Sequence, residues 1–321
     1  MTATGAPAAR PVAERLASGA FVLVDKPRGP SSHQVTAWAR DLLGVPAAGH
    51  AGTLDPNVSG VLWVGLGPAL RLVPLVLEFP KTYVGVAVLQ GEVAPAKLER
   101  VAAEFVGPIY QTPPVRSAVK RERRVRTVHR LELLERDGNR VLFSVVADSG
   151  TYVRTFAVDL GDALGVGAHL EELRRTATGP FDERTSVPLS ALADARAAAA
   201  AGDPAPLLAL LRPVEEVWRE FPMLVLKDAA ASAVAHGASL AAGGVASVSG
   251  PFAKGDRVVL LSRQRELVAT GVALRDASES RHGHDGWIVG STKVFADPRK
   301  FPPLWKRAAD GSRPTRPAAD G

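Results

Sequence analysis

His50-Ala51-Gly52-Thr53-Leu54-Asp55-Pro56-Asn57-Val58-Ser59-Gly60-Val61-Leu62 places one carboxylate, Asp55, between a glycine-bearing entry and an apolar exit. Gly52 has access to backbone angles closed to other residues. Pro56 fixes its own φ and restrains Asp55 toward extended geometry. Gly60 to Val64 then reads as a buried strand that anchors the loop. A carboxylate held on rigid backbone is how a catalytic acid, base or nucleophile is presented. The same residues also suit an ordinary turn, and the turn signals alone favour that reading.

The 321 residues suffice for one large domain and a small module. There are 39 basic and 33 acidic residues, a net charge of +6 and a pI near 9.8. This balance favours a polyanionic partner, although so modest a surplus also serves solubility. The absence of cysteine excludes a disulfide, a thiolate zinc site and a cysteine nucleophile, and it suits a reducing cytoplasm. Met1 to Arg10 lacks the apolar core of a signal peptide. Residues 58–79 approach the length of a membrane span, but Arg71, Gly65, Gly67, Pro68 and Pro74 divide them into a strand followed by a helix. The chain reads as soluble.

Elements alternate along the first two thirds. Phe21 to Val24 is a short apolar strand. Ser31 with Gln34 makes a capping box, opening a helix that carries Val35, Trp38, Ala39 and Leu42 on one face and ends at Gly44. Thr82–Leu89 and Arg140–Ala147 read as strands, the second after an Asp137-Gly138-Asn139 turn. Helices are predicted near 97–105, 155–164, 168–175 and 191–201. Without a regular βαβ rhythm, this is an α+β layered domain. From Met223 onward, strands at 224–226, 246–248, 257–261 and 267–273, with turns at Gly250-Pro251 and Lys254-Gly255-Asp256, suggest a small β-barrel.

Gly49 to Leu62 resembles the catalytic motif of the TruB and dyskerin-like pseudouridine synthases, Gly-His-x-Gly-Thr-Leu-Asp-Pro-x-x-x-Gly-x-Leu. Four further segments follow that family's order: Val24 to His33, Lys81-Thr82-Tyr83, Ser149 to Thr155, and Gly165 to Phe181. The resemblance spans roughly residues 21–300 and implies a catalytic domain with a central mixed or antiparallel sheet over 21–220. Around it fall an extension at 1–20, a PUA RNA-binding domain at 221–300 and a disordered tail at 301–321. Ala235 to Leu240 and Lys254 to Val258 carry the PUA likeness.

The implied activity is an isomerase that turns uridine of RNA into pseudouridine without cofactor or metal. Asp55 is the nucleophile at C1′ or the base that removes a sugar proton; the residues leave both routes open. Ionised in a desolvated pocket, it needs a cation, and Arg154 matches the family arginine that pairs with it. Without the family, Arg154 reads as a surface ion-pair partner. Tyr83 matches the tyrosine that stacks on the flipped base, and otherwise reads as a core strand residue. Leu173 walls the uracil, Lys26 and Pro27 support the loop, and His50 either braces the RNA or caps the loop. His282-Gly283-His284-Asp285 reads as a solvated loop rather than a metal site.

Residues 111–130 correspond to the family's thumb loop, which clasps RNA. Arg116, Lys120, Arg121, Arg123, Arg124, Arg126 and Arg130 there face one acid, Glu122. Arg121, Arg123 and Arg124 are its expected phosphate contacts. Tyr110 to Arg121 and Arg174 to Phe181 look like the archaeal dyskerin-type branch. That branch implies a box H/ACA guide RNA with rRNA and tRNA substrates, the T-loop uridine among them. Its expected protein partners are a zinc-ribbon-like scaffold, a small β-barrel protein and a kink-turn-binding ribosomal-type protein. Leu70, Phe79-Pro80 and Gly243 depart from the family pattern; Gly243 bears on recognition of the guide's ACA end. A non-catalytic RNA-binding scaffold is the alternative, disfavoured by the trio Asp55, Tyr83 and Arg154. A glycosidase-like hydrolase lacks an evident second carboxylate.

Overall fold

The computed structural model describes residues 10–112, 122–280 and 286–303. Arg116, Lys120, Arg121, the 282–285 segment and the tail from residue 304 lie outside them. The chain divides into two compact units between Val217 and Trp218.

The first unit runs α1 (Arg10–Ser18), β1 (Ala20–Lys26), α2 (Ser32–Leu43), β2 (Ala48–Ala51), β3 (Ser59–Leu66), α3 (Val73–Glu78) and β4 (Lys81–Leu89). It continues with α4 (Pro95–Glu104), β5 (Gly107–Gln111), β6 (Arg124–Asp137), β7 (Arg140–Ala147), α5 (Val153–Leu164) and β8 (Ala168–Thr178). It closes with β9 (Phe181–Asp182), α6 (Leu189–Ala200), α7 (Ala205–Leu210) and β10 (Arg212–Pro213), and α8 (Glu215–Trp218) follows. Among the described residues the strands form one mixed sheet, ordered β10-β1-β3-β8-β4-β7-β6-β5, with β2 on β3 and β9 on β8. This is the α+β domain expected from the sequence.

β3 is the axis of the site. Val61, Leu62, Trp63 and Val64 are fully buried, and Trp63 stacks on Phe21 with ring centroids 5.2 Å apart. Each such side chain contributes about 1.5–3 kcal/mol by leaving water, so the exit of the Asp55 loop is firmly anchored. The β3–β8 pairing is parallel, and it brings Gly60 opposite Arg175. Gly60 has φ +107°, and a Cβ there would lie 2.1 Å from the Arg175 carbonyl oxygen. Only glycine lets the two strands come this close.

Three expectations are corrected. Residues 168–175 are not a helix but part of β8, bonded to β3 on one side and β4 on the other. Leu170, Leu173 and the intervening charges suit a helix face, but the vacancy between two strands overrides that propensity. Within the basic 111–130 stretch, Gln111 ends β5 and Arg124–Arg130 belong to β6, so the described part is a strand ladder rather than a loop. Trp38 is 42% exposed, off the buried face of α2. That face turns instead toward Ser32 and Thr36, whose hydroxyls bond within the protein. The capping bond itself is present, with the Gln34 N–H donating to Ser31 Oγ at 3.1 Å, and Gly44 ends the helix in the left-handed region.

α5 covers one face of the sheet. Val153, Phe156, Ala157, Leu160 and Leu164 pack with Phe143, Val145 and Val128, and Tyr83 and Leu173 flank this core. The helix thereby sets its first turn, and Arg154, over the site.

The second unit contains β11 (Met223–Leu226), α9 (Asp228–Ala235), β12 (Leu240–Ala241), β13 (Val245–Ser249), β14 (Arg257–Leu261), β15 (Leu267–Ala273) and β16 (Trp287–Val294). Its six-stranded sheet runs β12-β16-β15-β14-β11-β13 around an apolar core that α9 joins through Ala231, Val234 and Ala235. Ser262–Glu266 turns the β14–β15 hairpin, with Arg265 at φ +64°.

Candidate active site

The loop between β2 and β3 is held at several points. Ser32, fully buried on α2, donates its hydroxyl to the Leu54 carbonyl at 2.9 Å and accepts the Leu54 N–H at 2.8 Å. Gly29 N–H donates to the Pro56 carbonyl at 2.8 Å. Lys26 Nζ, fully buried, donates to the carbonyls of Pro27 at 2.8 Å and Pro56 at 3.3 Å. Burial holds Lys26 below the usual lysine range, and the Asp55 charge opposes that shift. Every backbone group on either side of Asp55 therefore has a reason to stay where it is.

Arg154 Nη2 donates to Asp55 Oδ2. Both side chains are more than half exposed. The desolvated pocket expected around Asp55 is thus corrected: the carboxylate lies open to water, while the apolar neighbours Leu54 and Val58 are buried. Any exclusion of water has to come from what docks over it.

His50 sits on β2, its Nδ1 3.3 Å from Thr36 Oγ1 and its Nε2 3.4 Å from Thr53 Oγ1. Its ring meets His33 edge-to-face, with centroids 4.7 Å apart. Burial, then the neighbouring His33 and Arg175 charges, push it down to about 4. At neutral pH it is an uncharged brace on Thr53, next to Leu54 and Asp55.

Tyr83 on β4 faces Arg175 on β8 across the strand pair, and Leu173 follows on the same face, opposite Gly85. Burial holds the Arg175 guanidinium below its ordinary range, and the nearby Tyr83 opposes that shift. Arg175 Nε donates to the Val61 carbonyl at 2.8 Å. Gly52, at φ +74°, lies directly against it: a Cβ there would be 3.1 Å from Arg175 Nη1 and 3.5 Å from Lys81 Cε. Lys81, 3% exposed, donates to the carbonyls of Val76, Leu77 and Phe79 and to Ser149 Oγ, at 2.6–3.3 Å. Burial, with the Arg175 charge, pushes it down to about 7.

The residues singled out from sequence fall into two groups. Asp55 and Arg154 touch each other, Lys26 and His50 hold the loop, and Tyr83 and Leu173 form the adjoining sheet face. Arg123 and Arg124 stand at the start of β6, which Gln111 ties to the Tyr152 backbone two residues before Arg154. There Arg123 covers the Tyr110 ring at 4.4 Å, and Arg124 pairs with Gln111. Arg121 lies outside the described residues. Sequence reasoning gave no role to Arg175 or Lys81; their signal was the apolar alternation around them, which marks a charged residue on the inward face of a strand. Among the described residues no group of three or more His, Cys, Asp or Glu side chains could hold a metal, and no helix is long and apolar enough to cross a membrane.

Comparison with known proteins follows this layout. Residues 40–95 match the TruB family pseudouridylate synthase N-terminal domain, 154–218 the tRNA pseudouridylate synthase B C-terminal domain, and 222–286 the PUA domain. The chain is 43% identical to the "Probable tRNA pseudouridine synthase B" of Methanothermobacter thermautotrophicus, over 94% of this chain and 93% of that protein. It is 42% identical to the protein of the same name from Methanopyrus kandleri, over 93% and 88%. Among solved structures, a chain of a Cbf5-Nop10-Gar1 complex superposes with a TM-score of 0.83 at 41% identity, covering 94% of this chain and 92% of that one. A chain of an H/ACA RNP bound to a substrate RNA containing 2′-deoxyuridine superposes with a TM-score of 0.80 at 39% identity, covering 95% and 94%.

Proposed function

The chain belongs to the TruB family of pseudouridine synthases, and on that premise we propose that Asp55, set against Arg154, carries the isomerisation of uridine in RNA. The observation that supports this most is the Asp55–Arg154 pair on a loop tied down by Ser32, Gly29 and Lys26. Pseudouridine formation breaks N1–C1′, turns the detached uracil, joins C5 to C1′, and moves one proton from C5 to solvent while N1 regains one. Atoms balance without an oxidant or a second substrate. An ionised Asp55 serves as nucleophile at C1′ or as base on the sugar, and the Arg154 cation keeps it charged once RNA displaces water. Tyr83 offers a face for the flipped base and Leu173 an apolar wall, which offset part of the cost of unstacking. Lys26 and His50 hold the loop for both routes.

The substrates in this reading are tRNA, at the T-loop uridine, and rRNA selected by a box H/ACA guide. The names of the relatives and the solved Cbf5-Nop10-Gar1 and RNA-bound assemblies support it. The proposed protein partners include the two named in that complex, together with a kink-turn-binding protein, in the cytoplasm. Arg123 and Arg124, with Arg121, add phosphate contacts, and the PUA unit adds a further RNA surface. The test is to incubate RNA tritiated at uracil C5 with the protein, with and without guide and partners. Tritium release without free uracil is the expected result. Free uracil would make the protein a hydrolase, and neither product would leave it an RNA-binding scaffold.

A further inference from the structure

Arg154 is the second residue of α5, where a cation faces the positive end of the helix dipole, and the first turn carries no acid to offset it. The N-cap residue, Tyr152, contributes no side-chain cap. Local energetics therefore favour fraying of the turn that has to hold Arg154 against Asp55. The turn is tied from outside by Gln111, the last residue of β5, which is 3% exposed. Its Nε2 donates to the Tyr152 carbonyl at 3.1 Å, and its Oε1 accepts the Tyr152 N–H at 2.9 Å. One planar amide thus fixes both polar groups of a single backbone residue, and with them the direction in which the chain enters the helix. The Tyr152 carbonyl also accepts the Phe156 N–H at 3.0 Å, the first bond of α5. The other end of the same turn is pinned at Asp148, whose carboxylate accepts the Thr127 N–H at 2.9 Å and meets His129 Nε2 at 2.8 Å. Both pins come from the β5–β6 ladder, where Gln111 pairs with Arg124.

We infer that Gln111 is a positioning residue: its amide orients Tyr152, and with it the first turn of α5, so that the Arg154 guanidinium stays on the Asp55 carboxylate while RNA is bound. This rests on the proposed roles of Asp55 and Arg154 and deepens them. Because Gln111 shares its ladder with Arg124, the frame that carries the proposed phosphate contacts also aims Arg154. An apolar residue of the same length fills the space but bonds neither polar group of Tyr152, and the turn is then free to tilt. Misplacement of about 1 Å costs roughly 100-fold in rate.

The experiment uses the full chain, with guide and partners where the parent needs them. It compares Gln111→Met, Arg154→Met and the double variant in single-turnover tritium release at saturating protein, with RNA affinity measured on the same preparations. Methionine is unbranched and close to glutamine in volume, so the site stays filled. Gln111→Met is expected to slow the bound-state rate about 10- to 100-fold while RNA affinity stays within about threefold. Because Gln111 works through Arg154, the double variant is expected to be no slower than Arg154→Met alone. A parent rate in Gln111→Met would overturn the inference. So would losses that multiply in the double variant, which is what a general loosening of the sheet produces. If Gln111→Met does not fold, Gln111→Asn, which keeps an amide but draws it back by one carbon, takes its place in the same cycle and is read in the same way. Asp55→Asn run alongside separates the two levels. An active Asp55→Asn strikes the proposed chemistry, whereas an inactive Asp55→Asn beside a parent-rate Gln111→Met strikes only the positioning role.

Discussion

Arg154 donates to the Asp55 carboxylate across 99 residues of chain, yet the two side chains remain 57% and 56% exposed. An ion pair that open to water adds about 1 kcal/mol or less to stability. In the proposed reaction its value lies in a bound state from which water has been displaced. Arg154→Met is accordingly expected to cut turnover about 100-fold or more, the scale seen when a preorganised donor is lost. Its melting temperature should move by no more than about 4 °C. Calorimetry beside the tritium assay checks both; a large thermal loss with normal turnover would make the pair a structural bolt.

Asp55→Asn keeps the shape of the loop tip and its backbone ties while removing the charge. Tritium release is expected to drop below detection, with RNA affinity within about threefold, because a single neutralised carboxylate leaves every phosphate-binding cation in place. Filter binding and tritium release on one preparation check this. Isomerisation at the parent rate would move the reaction to another group.

His50 supplies a pH signature. Its folded value is depressed to about 4 from an ordinary 6.5. Between these values the unfolded chain binds a proton that the native state refuses, so stability present above pH 6.5 is lost as pH falls toward 4. Urea midpoints from pH 7 to pH 4 should fall less steeply in His50→Asn than in the parent. Parallel curves for the two proteins would show that the ring titrates normally.

Arg123 and Arg124 are expected to act on RNA through charge alone. Replacing both, or both with Arg121, should weaken binding to all RNA sequences alike. It should also flatten the plot of log affinity against log salt by about 0.7 for each phosphate that is no longer neutralised. An unchanged slope would confine Arg123 to its place over Tyr110, where it already has an aromatic partner.

Gly60→Ala tests the strand joint. The new methyl would meet the Arg175 backbone at 2.1 Å in a φ region hostile to alanine. A loss of about 3 kcal/mol or more is expected by chemical denaturation, in line with other backbone-strain substitutions. A loss below about 1 kcal/mol would mean that β3 and β8 can part cheaply.

Much of this was legible in the chain itself. The loop from Gly52 to Gly60 declared its rigidity through glycine and proline, and its exit declared a strand through an unbroken apolar run. The family motifs then pointed to Asp55, Tyr83 and Arg154 at positions far apart in sequence, and the fold brings Asp55 and Arg154 into contact. What stayed hidden depended on neighbours that a local pattern does not contain. β8 spells a helix in its own residues and becomes a strand only because β3 and β4 flank it. Trp38 should have been buried by periodicity, but Ser32 and Thr36 took that face, Ser32 through a bond to Leu54 twenty-two positions away and Thr36 through one to its own helix turn. The openness of Asp55 likewise is a property of the folded surface, which spacing along the chain does not encode.

The pairing of Ser59 and Gly60 with Arg174 and Arg175 also joins segments more than a hundred residues apart in the chain. A ribosome that has delivered the aspartate loop has not yet delivered the strand that seats it. Contacts so distant in sequence form late and slowly. The Asp55 loop is thus made well before β8, and it gains its place beside Arg175 only once β8 pairs with β3.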